Sequence, residues 1–128
     1  MQMYKYDIVG FLNWGYNFYN TQFSFDSINP YLDTCGDGWV PAGDTFSVYP
    51  ANDGTALESF RIIVFYEALQ DIRAMKLAES LVGKVAVLEA IETAFGGEIK
   101  FDICARSAKQ MLSVREVVNN IIKSHLER

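Results

Sequence analysis

Residues 8–19 read IVGFLNWGYNFY, an apolar and aromatic run without a charged side chain. A continuous apolar run of this kind is typical of a strand that is buried on both faces, as in a parallel sheet. Polar residues and a glycine interrupt the run from residue 13 onward, so we expect the strand to end near Trp14 or Tyr16. The segment therefore predicts a buried strand followed by a turn.

A long loop is predicted directly after this strand, over residues 20–45, because prolines, glycines and aspartates recur throughout it. The loop also carries apolar residues, which favour a packed excursion over a floppy linker: Phe23, Phe25, Ile28, Tyr31, Leu32 and Trp39. A short alternating segment, TFSVY at 45–49, predicts a second strand that Pro50 ends. Residues 52–54, Asn-Asp-Gly, predict a turn.

The second half of the chain has the apolar spacing of amphipathic helices. It predicts helices over about 59–81, 84–95 and 114–126, with glycines at 83 and at 96–97 between them. Thr55–Glu58 and Ser113–Glu116 have the spacing of capping boxes, and Ser59 competes with the first of them as a helix cap. We therefore expect a single α/β or α+β domain over 1–128, with strands and loop in 1–58 and helices in 59–128.

Composition differs between the two halves and excludes several function classes. Sixteen of the 18 aromatic residues lie within residues 1–66, and residues 1–58 hold seven acidic side chains against one basic side chain. An acidic front half and a net charge of −5 argue against a nucleic-acid partner, because phosphate binding requires clustered Lys and Arg. The single histidine, His125, excludes metal sites built from several histidines.

Other absences from the sequence limit the remaining classes. The loop aspartates lack the spacing of a calcium-binding loop, so no metal or cofactor is predicted. We expect Cys35 and Cys104 to be buried free thiols rather than a disulfide. Without a long apolar stretch or a signal-peptide pattern, the sequence predicts no membrane partner and a cytoplasmic location.

Three patterns occur in order along the chain. The first reads Gly10-Phe-Leu-Asn-Trp14-Gly-Tyr16-Asn17, and the second reads Gly43-Asp44-Thr-Phe-Ser-Val48-Tyr49-Pro50. The third begins with Ser59 and Arg61 at a helix start and has an acidic residue, Asp71, further along the helix. Together they resemble the C-terminal domain of unknown function found in glycoside hydrolase family 123-like proteins, over about residues 8–80. The chain departs from the family pattern at Ile63, Tyr66, Ala51 and Ala68, where the family commonly has Glu, Arg, Gly and Gly.

The resemblance implies that the chain is the C-terminal part of a (β/α) barrel: one or two buried strands, a long aromatic loop and three or more helices. Family members carry an adjacent Asp-Glu pair on an earlier strand and use the acetamido group of the substrate as nucleophile. The 128 residues contain no Asp-Glu or Glu-Asp dipeptide. The resemblance therefore implies a domain that contributes to a carbohydrate site and is not catalytic alone.

The resemblance also indicates candidate substrate-binding residues and partners. Flat aromatic faces stack on sugar rings, whereas amides, carboxylates and guanidinium groups hold hydroxyls. The candidates are Trp14, Tyr16, Asn17, Trp39, Asp44 and Arg61, with an amino sugar as ligand and an upstream barrel domain or a second copy as protein partner. For Arg61, a structural ion pair is the competing interpretation, with Asp44 or Asp71 as partner, although Asp71 lies ten residues further along the helix and is too far for direct pairing. The alternative function is a non-catalytic self-associating or partner-binding domain.

Overall fold

The computed structural model describes residues 1–127 and shows an α+β architecture. Within this range its elements are α1 (Gln2–Lys5), a 3₁₀ turn (Gln22–Ser24), β1 (Val48–Pro50), β2 (Ala56–Glu58), α2 (Phe60–Val82), α3 (Lys84–Phe95) and α4 (Ala108–Leu126). The three helices predicted from the apolar spacing are therefore present. None of the helices within residues 1–127 combines the length and apolar character needed to cross a membrane.

The chain forms two compact units. Among the described residues, the first unit contains Met1–Phe11 and residues 68–127, and the second contains Leu12–Glu67. The core of the first unit is apolar, and α3 packs against α4 within it. Its buried residues are Tyr4, Met75, Ala78, Val87, Ile91, Phe95, Ile99, Val114 and Val118. Whether these two units form the single domain predicted over residues 1–128 stays a prediction.

The second unit is organised around a short hairpin. β1 and β2 pair antiparallel, with Val48 opposite Glu58, and the turn between them falls at the predicted Asn-Asp-Gly residues. Phe46 and Val48 are buried, but so are Thr45 and Ser47, so the predicted alternation is not observed. The predicted strand bounds of 45–49 are also wrong, because the strand begins at Val48 and includes Pro50. The preceding chain lies alongside, because Phe18 donates its backbone N–H to the Thr45 carbonyl and Ser47 donates to the Tyr16 carbonyl. Residues 16–18 and 45–47 are thus held together.

The buried strand predicted near residues 8–14 is wrong. This segment is not a strand, and Val9 and Leu12 have exposed fractions of 104% and 91%. A strand buried on both faces needs neighbouring strands for its backbone N–H and C=O groups. Within residues 1–127 the named strands, β1 and β2, pair with each other, so the apolar run has no strand beside it.

The capping box predicted at Thr55–Glu58 is also wrong, because these residues enter the hairpin instead. The Asp53 carboxylate accepts hydrogen bonds from the backbone and hydroxyl of Thr55, which closes the turn and directs the chain into β2. The competing prediction is confirmed. Ser59 accepts from the backbone N–H of Arg61 at 3.2 Å, at the start of α2.

The prediction for the start of the last helix is wrong as well. α4 begins at Ala108, six residues before the predicted start, and Ser113 lies inside it. Ser107 is its cap: the hydroxyl accepts from Gln110 N, and the Gln110 side chain accepts from Arg106 N. Ser107-x-x-Gln110 is itself a capping-box pattern that precedes an apolar run.

The loop over 20–45 is irregular, as predicted, but its apolar residues are not all packed. Phe23, Phe25 and Leu32 have exposed fractions of 76%, 79% and 86%. Hydrogen bonds hold the loop instead, for example those from the backbone N–H groups of Cys35 and Asp37 to the Asp33 carboxylate, which lower the pKa of Asp33. Cys104 is exposed, so its predicted burial is wrong.

Candidate functional site

Three aromatic side chains of the second unit form a cluster. The ring centroids of Trp14 and Trp39 lie 5.5 Å apart, and Phe18 lies 5.5 Å from Trp14 and 6.4 Å from Trp39. The planes are tilted against one another, a favourable geometry for aromatic pairs. Trp14 is 47% exposed and Trp39 is 36% exposed, so both indoles keep surface for a ligand. The structure therefore brings together two site residues that are 25 positions apart in sequence.

Asp44 lies at the edge of this cluster. Its Oδ2 accepts a hydrogen bond from Trp14 Nε1 at 3.2 Å. The approach depends on Gly15, which is buried and whose Cα faces the backbone of Asp44 and Thr45; any Cβ there would collide with the Asp44 carbonyl oxygen. The glycine next to Trp14 thus lets the two backbone segments come close enough for the indole to reach the carboxylate.

Tyr16 and Asn17 lie on the backbone segment that pairs with residues 45–48. The Tyr16 carbonyl accepts from Ser47 N at 2.7 Å, and Asn17 forms an antiparallel bridge with Phe46. Both side chains are exposed, and Tyr16 has an exposed fraction of 53%. The structure thus fixes the backbone of these two predicted site residues and leaves their side chains open to solvent.

Arg61, in the first turn of α2, is held by contacts that the sequence did not predict. Its Nε donates to the Phe46 carbonyl at 2.9 Å, and one terminal nitrogen lies 3.3 Å from the Tyr49 hydroxyl. The guanidinium also lies over the Phe46 and Tyr49 rings, with centroid distances of 5.2 and 5.7 Å. Asp71, which lies ten residues further along the helix, instead accepts from Arg115 Nε at 2.7 Å, in agreement with the expectation that it is too far from Arg61 for a direct pair.

A depression of about 180 Å³ opens between Asp44 and Arg61. Residues of its wall include Asn13, Gly43, Asp44, Ser47, Arg61 and Phe65. Asn13 was missed by the sequence interpretation, although its amide stands out within an apolar run. Its Nδ2 donates to the Gly15 carbonyl at 3.0 Å, which supports the glycine that Asp44 approaches. The depression offers a carboxylate and amide and hydroxyl groups, which suit hydrogen bonding to a polar ligand.

A larger cavity, of about 230 Å³, lies in the first unit among α1, α2 and α4. Its wall is mainly aliphatic and thioether, with Met3, Ile72, Met75 and Val118 among its residues. It contains none of the six sequence-predicted site residues. Among residues 1–127, no group of three or more His, Cys, Asp or Glu side chains is close enough to hold a metal ion. The Trp14–Trp39–Asp44 cluster is therefore the better candidate site.

Comparison with known proteins places the chain in a family. No curated protein is similar enough to count as a match. The family model described as the glycoside hydrolase 123 catalytic domain matches residues 1–78, which is more than half of the 128 residues. This match includes the aromatic cluster, Asp44 and Arg61. The chain belongs to the glycoside hydrolase 123 family.

Proposed function

We propose that this chain provides one wall of a carbohydrate-binding site in a glycoside hydrolase 123-related protein. The observation that carries the proposal is the half-exposed Trp14–Trp39 pair with a carboxylate, Asp44, hydrogen-bonded at its edge. An exposed indole offers an apolar face to the C–H groups of a sugar ring, and a neighbouring carboxylate accepts hydrogen bonds from its hydroxyls. A site with only one of these features would bind sugars less selectively.

The proposed roles follow from the contacts of each residue. Trp14 and Trp39 stack on the sugar, and Asp44 accepts hydrogen bonds from its hydroxyl groups. Tyr16 and Asn17 supply further polar atoms from the adjoining backbone segment, and Arg61 completes the wall of the depression. The ligand class is an amino sugar, in keeping with the family.

We further propose that the chain is the last part of a (β/α) barrel. The apolar run at 8–14 has the composition of a barrel strand, and its side chains at Val9 and Leu12 are exposed. Further strands beside it would satisfy the backbone and cover these side chains. The carboxylates that perform hydrolysis would then come from those strands, and not from this chain.

The same exposed residues favour a second candidate, a self-associating domain. Val9, Leu12 and Phe60 are at least 87% exposed, and exposed apolar side chains can form an interface between copies. The two functions make different demands on the tryptophans. A sugar site needs them free in the isolated protein, whereas a self-association surface has no requirement for sugar.

The two tryptophans allow a direct test, because Trp14 and Trp39 are the whole source of indole fluorescence. Titration with N-acetylgalactosamine should change the emission of the wild-type chain. Trp14→Ala should weaken binding by about tenfold, the effect of losing roughly 1.4 kcal/mol of stacking and hydrogen bonding. Phe60→Ala, an exposed aromatic outside the cluster, should bind as the wild type does.

Two outcomes would contradict the carbohydrate proposal. One is tryptophan fluorescence that does not change when N-acetylgalactosamine or N-acetylglucosamine is added up to high millimolar concentration. The other is equal weakening by Trp14→Ala and Phe60→Ala. If the chain also sediments as a dimer whose dissociation follows Leu12→Ser, the self-association function replaces the carbohydrate function.

A further inference from the structure

We infer that Arg61 is a positioning residue, which fixes the Asp44 carboxylate through Gly43 and thereby sets the orientation of the Trp14 indole. The inference rests on the proposed carbohydrate site and assigns one of its six residues a role other than direct contact with the ligand. Three observations carry it: the anchoring of the guanidinium, its close contact with Gly43, and the hydrogen bond from Trp14 to Asp44.

The Arg61 side chain is anchored by the residues around it. The guanidinium donates to the Phe46 carbonyl and contacts the Tyr49 hydroxyl, and it lies over both of these rings. The backbone is fixed as well, because the Ser59 hydroxyl accepts from Arg61 N and donates to the Ser47 carbonyl. Because the guanidinium makes hydrogen bonds at its edge and ring contacts on its face, its position is fixed.

Gly43 lies directly against the Arg61 guanidinium. A Cβ at position 43 would lie 2.5 Å from one terminal nitrogen of Arg61 and 2.8 Å from its Cζ. The backbone there has a φ of +81°, in the region that favours glycine. The turn is further held from Gly43 N to the Thr34 carbonyl and from Asp44 N to the Pro41 carbonyl. The guanidinium therefore supports the turn that contains Gly43 and Asp44.

Asp44 joins this turn to the aromatic cluster. Asp44 follows Gly43 directly, and its Oδ2 accepts from Trp14 Nε1. A displacement of Gly43 moves the Asp44 backbone, and the hydrogen bond conveys the change to the indole. Lysine at position 61 keeps the charge but lacks the planar fork, so it cannot hold Phe46 and Tyr49 while also supporting Gly43.

The test uses the two indole N–H resonances of the ¹⁵N-labelled chain, with Trp14→Phe assigning the Trp14 signal. Arg61→Lys should shift the Trp14 indole resonance and weaken N-acetylgalactosamine binding several-fold. Arg73→Lys, the same change at an exposed position of α2, should move neither. Tyr49→Phe removes one contact of the guanidinium and should shift the Trp14 signal in the same direction by a smaller amount.

An unchanged Trp14 resonance in a folded Arg61→Lys protein would overturn the inference. If sugar binding is lost while the resonance stays unchanged, Arg61 contacts the sugar directly and does not position Trp14. If Arg61→Lys does not fold, Tyr49→Phe decides in the same way. A shifted resonance in a chain whose wild type binds no sugar supports the positioning role and contradicts the carbohydrate function. The two proposals can therefore fail separately.

Discussion

Ser59 joins two pieces of the second unit through one hydroxyl. It accepts from the backbone N–H of Arg61 and donates to the Ser47 carbonyl, and its side chain is buried. We expect Ser59→Ala to lower the free energy of unfolding by about 1–2 kcal/mol, because a helix cap is lost and a buried carbonyl loses its donor. Urea denaturation, monitored by tryptophan fluorescence, measures the change.

Ser80→Ala is the matched control. Ser80 is exposed within α2, and its hydroxyl donates to the Leu77 carbonyl of the same helix. Alanine is a better helix former, so this change should leave stability within about 0.5 kcal/mol of the wild type. Equal destabilisation by both variants would show that the hydrogen bonds of Ser59 contribute no more to stability than that of an exposed serine within a helix.

Single residues also show where the sequence is informative and where it is not. Trp14, Trp39 and Asp44 were selected from the sequence as candidate site residues, and the structure brings these three side chains together. The hydrogen-bond partners of Arg61 could not be predicted, because every residue has a backbone carbonyl and the sequence does not indicate which of them accepts. The interpretation considered only carboxylates, and Arg61 instead binds the Phe46 carbonyl. Contacts with backbone atoms depend on tertiary approach, which local patterns do not encode.

At the scale of elements, the Glu92 side chain connects the end of α3 to the chain on either side of it. Gly96 has a left-handed φ of +88° and ends the helix, and the Glu92 carboxylate then accepts from Ile99 N at 3.0 Å and from Lys5 Nζ at 2.7 Å. Lys5 is the main cause that lowers the pKa of Glu92, followed by the backbone bond to Ile99. Glu92 therefore connects the chain after α3 to α1.

This geometry predicts a pH dependence with a definite sign. The pKa of Glu92 is lower in the folded than in the unfolded state, so the unfolded state binds the proton first. The stabilisation by Glu92 should be complete above the ordinary glutamate pKa, about 4.3, and should be lost as the pH falls through the lowered pKa. The thermal midpoint, followed by circular dichroism at decreasing pH, measures this loss.

Glu92→Gln separates this effect from general acid denaturation. The variant should be less stable near neutral pH and should lose less stability below pH 4.3 than the wild type, because its side chain no longer titrates. Glu89→Gln, at an exposed position of α3, should retain the wild-type pH dependence. Parallel curves for the wild type and Glu92→Gln would contradict the assignment.

Helices were easier to predict than strands for a physical reason. The periodicity of α3 is set by its own residues, and its predicted bounds, 84–95, are those observed. The run at 8–14 has the composition of a buried strand, but a strand needs partners on neighbouring strands. The composition of a segment indicates which apolar side chains it could bury, but burial also requires neighbouring chain segments that pack against it.

At the scale of the whole molecule, the crowding of aromatics in the first 66 residues has two outcomes. Some of these rings are buried, as Tyr4 and Phe46 are, at exposed fractions of 1% and 0%. Others are exposed, as Trp14 and Trp39 are, and all four rings lie within residues 1–78, which the family match covers. The aromatic count alone could not separate core from candidate site, whereas the exposed surface of each ring does.

The chain is expected to lack hydrolytic activity by itself. The resemblance implies that hydrolysis in this family needs an adjacent Asp-Glu pair, and the 128 residues contain no such dipeptide. Without that pair, no group polarises the acetamido nucleophile or protonates the leaving group, so the barrier stays near its uncatalysed height. The purified chain should leave an aryl N-acetylgalactosaminide intact at rates equal to the buffer blank. Turnover that Asp44→Asn abolishes, while the protein stays folded, would contradict this and make Asp44 a catalytic residue.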